Sequence, residues 1–198
     1  MTHSSRTWLW LVPLLLLVTW AASRELGTDY WYDEIRSLAV AGGAHLGPLS
    51  PAGIVTRISE GSPEQLVGYP LLLAGWGALV GWSEVAARWL PLLLGLLGLA
   101  WTYRLVADLA SRRAGLWAVA LLGASVYYSY FLHELRAFSL MGLATSFSLW
   151  IYWRLLHSRA PSRWAYAGLF MGGLTLAYTH YFAFPVLIGL GAYHLLWA

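Results

Sequence analysis

Runs of apolar residues dominate the chain, and short polar clusters separate them. Residues 7–22, 85–107, 114–131, 137–156 and 164–181 each form a long apolar run, and a sixth, 182–197, meets the chain end. A bilayer core about 30 Å thick is crossed by about 20 apolar helical residues. The runs therefore predict an all-α fold, a polytopic transmembrane helical bundle. With its last run ending where the chain ends, the module reads as cut off rather than completed.

A further apolar piece, "YPLLLAGWGALVG" at 69–81, is shorter and contains three glycines. Runs of roughly 10–14 residues more often lie in the interface or re-enter than span. Behind it, Ser83 is a good N-cap and Glu84 suits a first helical turn. A helix break is expected there, with 69–81 re-entrant or interfacial. Ahead of it, 23–68 is long for a loop and carries helix signals of its own. "DYWYDEIRSLAVAGG" offers Asp29 or Asp33 as a helix-start acid, Ile35, Leu38 and Ala39 as an apolar face, and Gly42-Gly43 as a stop. "SPEQ" at 62–65 is a capping box with proline at the first helical position. Short juxtamembrane helices in the first external loop follow from these signals.

Composition agrees with a membrane protein. The 198 residues are 59% hydrophobic and 16% aromatic, with a mean hydropathy of +0.60, outside the range of soluble domains. Twelve arginines supply every basic charge and the net charge is only +3, so no basic stripe exists for a nucleic-acid partner. There is no cysteine, which excludes disulfides, thiolate metal sites and cysteine nucleophiles. The first twenty residues also have the look of a secretory signal peptide. An uncleaved first span is preferred because "WAASREL" is a weak cleavage site and more apolar runs follow.

Charge orients the runs. With the N-terminus inside and 69–81 not spanning, Arg6, Arg104, Arg112, Arg113, Arg154, Arg159 and Arg163 fall on the cytoplasmic side with only Asp108. Asp33, Glu34, Glu134 and the remaining acids fall outside, in keeping with the positive-inside bias. A rival topology, with 69–81 spanning and the N-terminus outside, also satisfies the bias. It separates the chain's polar clusters onto opposite faces, whereas the first topology gathers them on one.

Those clusters are three. "DYWYDEIRSLA" holds Asp33 and Glu34, "HELRAF" holds His133, Glu134 and Arg136, and "YTHYFAF" holds His180 and Tyr181. Each has an ordinary structural explanation: acids at a helix N-terminus with Arg36 beside them, a helix-end ion pair, and an interfacial aromatic belt. Together they set a carboxylate pair, a Glu/Arg pair and a histidine at one lipid–water boundary. A carboxylate beside apolar surface suits proton abstraction from a hydroxyl, and an arginine fork suits a phosphate leaving group. That combination fits chemistry between a lipid-linked phosphate and an external acceptor.

"WYDEIRSLAVA", the stretch from "GYPLLLAGWGALVGWSEVAARW" to "AGLWAVALL", "HELRAFSL" and "YTHYF", in this order, resemble the N-terminal module of GT-C glycosyltransferases. The nearest likeness is to the glycosyltransferase 39 group, akin to protein mannosyltransferases and aminoarabinose transferases, and covers nearly all the chain from Tyr30. The resemblance implies a multi-pass plasma-membrane, inverting transferase that moves a sugar from a polyprenyl-phosphate donor to a lipid, glycan or protein acceptor on the outer or periplasmic face. It makes Asp33 the catalytic base, with Glu34 its neighbour in donor or acceptor binding. Glu134 and Arg136 match a pattern that usually reads Gln-Glu-x-Arg-x-Tyr, while His133 and Phe138 depart from it. His133, Glu134, Arg136, His180 and Tyr181 are expected to bind substrate, Arg136 holding the departing phosphate with His180 assisting. Relatives often carry Pro-Pro after a basic residue where this chain has Gly68-Tyr69-Pro70. No cofactor is required by this reading, although a divalent cation near Asp33 and Glu34 is compatible with it. The competing readings are a transporter or flippase, whose ionisable residues would sit in mid-span, and a non-catalytic truncated membrane protein.

Overall fold

The computed structural model describes residues 8–43, 49–61 and 65–197. All regular structure among them is helical, with no strand: α1 (Trp8–Ser23), α2 (Tyr32–Ala41), α3 (Pro51–Gly61), α4 (Gly68–Val80), α5 (Glu84–Leu109), α6 (Arg112–Gly123), α7 (Val126–Phe131), α8 (Phe138–Leu156), α9 (Arg163–Thr179) and α10 (Phe184–Trp197). A 3-10 turn, Tyr181–Ala183, joins the last two. The capping box at 62–65 lies outside the described residues apart from Gln65.

α5 is the central helix. It starts where Ser83 caps it, the hydroxyl oxygen accepting from the Ala86 N–H at 3.3 Å. Its 26 residues extend about 39 Å. Among the described residues it is the one helix long and apolar enough to cross a membrane, by length and composition; α1, α4 and the final helical segment are apolar but shorter. α8 runs parallel to it. Near one end Gly95 of α5 faces Leu132 and Ser139, further along Thr102 bonds Ser146 at 2.9 Å, and at the far end Asp108 accepts from Trp150. α6 packs back along α5 and α9 back along α8, while α1 lies against α5 and α6.

Two apolar runs are interrupted. Residues 114–131 do not form one helix: α6 ends at Gly123 and α7 begins at Val126. The Gly123-Ala124-Ser125 step lets the backbone turn, since the Ser125 N–H bonds back to the Leu122 carbonyl and the Ser129 hydroxyl donates to the freed Gly123 carbonyl at 3.0 Å. The run 164–181 stops at Thr179 because His180 is extended, with φ −163° and ψ 146°.

α2 and α4 pack at one end of the bundle, the end where α5 and α8 begin. α2 stops at Gly42, whose φ of 79° is the left-handed conformation expected of a glycine stop. Leu38, Ala41, Tyr69, Leu73, Ala87, Leu90, Leu135 and Leu140 form the core that joins α2, α4, α5 and α8. Both ends of α4 stay here. Gly68 lies so close to the Tyr178 carbonyl that a Cβ would stand 2.6 Å from its oxygen, and beyond the other end the Trp82 carbonyl accepts from the Tyr30 hydroxyl at 3.1 Å.

Candidate functional site

The site is assembled around the first turn of α2. Trp31 is extended, and the Glu34 carboxylate folds back to accept its backbone N–H at 3.3 Å. That fold directs Glu34 inward. Its two oxygens also accept from Arg88 Nε at 2.9 Å, Arg88 Nη2 at 2.6 Å and the Leu135 backbone N–H at 3.2 Å. Glu34 is fully buried and Arg88 nearly so. Arg88 Nη1 donates onward to the carbonyl of Leu26 at 3.0 Å and to that of Thr28, and Nη2 to the carbonyl of Asp29 at 3.1 Å. One buried bidentate pair thus ties α5, the α1–α2 connection, α2 and the loop before α8 together. Glu34, expected beside the substrate, has no surface with which to touch one; its carboxylate holds the frame.

Asp33, one residue earlier, points the other way. Its carboxylate is about a third exposed and stands 3.9 Å from Arg136 Nη2, itself partly exposed. A pair at this distance, open to solvent, leaves both groups able to meet a third partner. Glu134 and His133 do not join them. Glu134 is buried and accepts from the Trp31 indole N–H and from Tyr130. Burial raises its pKa above the ordinary carboxylate range; the Trp31 hydrogen bond opposes this and the Glu34 charge reinforces it. His133 is half-buried, its pKa lowered chiefly by that burial, and its Nδ1 has no hydrogen-bond partner among the described residues. Both flank the site rather than line it.

Arg136, His180 and Tyr181 line a cavity of about 270 Å³ together with Ser37, Gln65, Tyr69 and Phe138. The His180 ring lies among Phe138, Tyr181 and Phe182, at centroid distances of 5.2, 4.9 and 4.8 Å. Its Nδ1 accepts the Phe182 backbone N–H at 3.1 Å, so in the neutral ring the proton sits on Nε2, which is left as a donor. An apolar groove of about 620 Å³, walled by Leu71, Leu72, Leu140, Leu174 and Tyr178, meets the cavity at Thr179.

Asp33 and Glu34 diverge and Glu34 is enclosed by donors, so the two do not form a joint cation site. No group of three His, Asp or Glu residues suited to a metal occurs among the described residues. Sequence reasoning missed Arg88. Its signal was an arginine one turn inside an apolar helix, where an ionisable group calls for a partner. No family model, curated protein or solved structure matches the chain.

Proposed function

We propose that the chain is the N-terminal membrane module of a GT-C-type, glycosyltransferase 39-like enzyme that transfers a sugar from a polyprenyl-phosphate donor to an acceptor hydroxyl on the outer face. The observation that carries this is Asp33 facing Arg136 beside a cavity that continues into an apolar groove. A base, a fixed positive charge and a path for a hydrocarbon tail then meet at one boundary. Apolar exteriors support the membrane setting: Trp10, Leu16, Trp117, Leu121, Phe170 and Ile188 are all largely exposed on α1, α6, α9 and α10, where a helix facing water would carry polar residues. In this reading α1, α5, α6 with α7, α8, α9 and α10 cross the bilayer, and α4 lies at its outer boundary.

The reaction is one in-line displacement. Asp33 takes the acceptor proton as the acceptor oxygen bonds to the anomeric carbon. The bond from that carbon to the phosphate oxygen breaks, and the lipid phosphate leaves with the electron pair, its charge met by Arg136 and by the Nε2–H of His180. Glu34 acts through Arg88 and the backbone of Leu135, holding the Asp33 turn against the Arg136 loop. A transport pathway finds less support. Asp108, the acid furthest from the site, is at the opposite helix ends beside Arg104, Arg154 and the Trp150 indole.

Sugar transfer from radiolabelled polyprenyl-phosphate hexoses and pentoses, by the full gene product in membranes, tests the proposal. Asp33→Asn is expected to lower turnover about 100- to 10,000-fold, the range of general-base catalysis, with membrane insertion intact. Near-normal turnover in that variant would remove Asp33 from the role.

A further inference from the structure

Two polar atoms in the cavity beside Arg136 have no partner. Tyr69 is only 3% exposed and lines the cavity, and neither its hydroxyl nor the buried Nε2 of Gln65 makes a hydrogen bond among the described residues. A buried polar group without a hydrogen bond forfeits its hydration with nothing in return. Two such groups on one cavity wall point to a ligand that completes them.

The chemistry of the wall defines that ligand. Arg136 offers guanidinium N–H groups, Tyr69 a phenol O–H, Gln65 an amide NH₂ and His180 an Nε2–H. The Ser37 and Thr179 hydroxyls are already engaged: Ser37 donates to the Asp33 carbonyl at 3.1 Å, and Thr179 to the Thr175 carbonyl at 2.5 Å. No carboxylate lines the cavity. Donors outnumber acceptors and one donor is permanently charged, the complement of an oxyanion with several acceptor oxygens.

We infer that Tyr69 and Gln65 are neutral donors of a phosphate-binding subsite, their O–H and N–H completing the charge-assisted contacts of Arg136. The inference rests on the transferase reading only for the source of the phosphate, the head of a lipid whose tail follows the groove from Thr179. Tyr69 stands where the resemblance expects a proline following a basic side chain.

Equilibrium binding of radiolabelled farnesyl phosphate to the full-length protein in nanodiscs, with inorganic phosphate and farnesol as competitors, tests this. Tyr69→Phe and Gln65→Leu are each expected to weaken farnesyl phosphate binding roughly 10- to 100-fold, the range for hydrogen bonds to a charged group. Farnesol affinity should not change. Competition by inorganic phosphate assigns recognition to the anion itself, and its failure to compete, with the variants still defective, assigns it to the lipid phosphate. Because the Tyr69 hydroxyl lacks a protein partner, Tyr69→Phe should match or exceed the wild type in thermal stability without ligand and lose the ligand-induced increase. Wild-type affinity in both variants, or no binding of either phosphate by the wild type, overturns the subsite. Wild-type farnesyl phosphate affinity in Tyr69→Phe and Gln65→Leu, together with loss of transfer in Asp33→Asn, would sink the subsite and leave the transferase reading standing.

Discussion

Adjacent acids, Asp33 and Glu34, have opposite environments because successive residues in a first helical turn point about 100° apart. Glu34 turns into the core to meet Arg88, and Asp33 is left at the surface beside Arg136. Buried ion pairs are weak evidence of net stabilisation, but breaking one strands a charge. Arg88→Leu is therefore expected to cost about 3–5 kcal/mol, read as a lower thermal midpoint of the purified protein, because Glu34 loses both guanidinium bonds. The double variant Glu34→Leu, Arg88→Leu should lose less than the sum of the single changes. A single variant as stable as the wild type would show that the pair does not hold the frame. Asp33 and Glu34 were legible in the sequence as a pair, but not which of them faces in. That depends on an arginine 54 positions away.

Helix boundaries were the most legible elements, since caps and stops are local: the Ser83 cap and the Gly42 stop both follow from their own neighbourhoods. The α6–α7 break was not, because a Gly-Ala-Ser step is tolerated inside a long helix and is decided by whether side chains satisfy the freed carbonyls. The α8–α9 interface depends on small residues. A Cβ on Gly172 would stand 2.4 Å from the Oγ of Ser148, which is wholly buried. Gly172→Val should separate the two helices and destabilise the protein by about 1–3 kcal/mol, measured by thermal unfolding in detergent. The same substitution at Gly191, which has open space around it, should be smaller in effect.

The three polar clusters converge at one end of the bundle, while Arg104, Asp108 and Arg154 gather at the other. In a membrane this polarity predicts sidedness. The absence of native cysteine makes it measurable by single-cysteine labelling in intact cells. Tyr32→Cys and Phe182→Cys, both at exposed positions beside the site, should react with an impermeant maleimide from outside. Trp164→Cys, at the start of α9, should react only after permeabilisation. Labelling of Tyr32→Cys and Phe182→Cys from opposite sides would refute a one-sided site.

By itself the sequence determined what is local: apolar runs long enough for helices, the caps and glycines that bound them, and the polar clusters between them. Tertiary structure alone decided which groups meet. The Glu34 carboxylate reaches the Leu135 amide across 101 positions, and Tyr69 reaches the Arg136 cavity only because α4 folds back beneath Tyr178. Helical order arises from interactions a few residues apart. A binding site arises from the packing of whole helices, and one-dimensional spacing does not specify it.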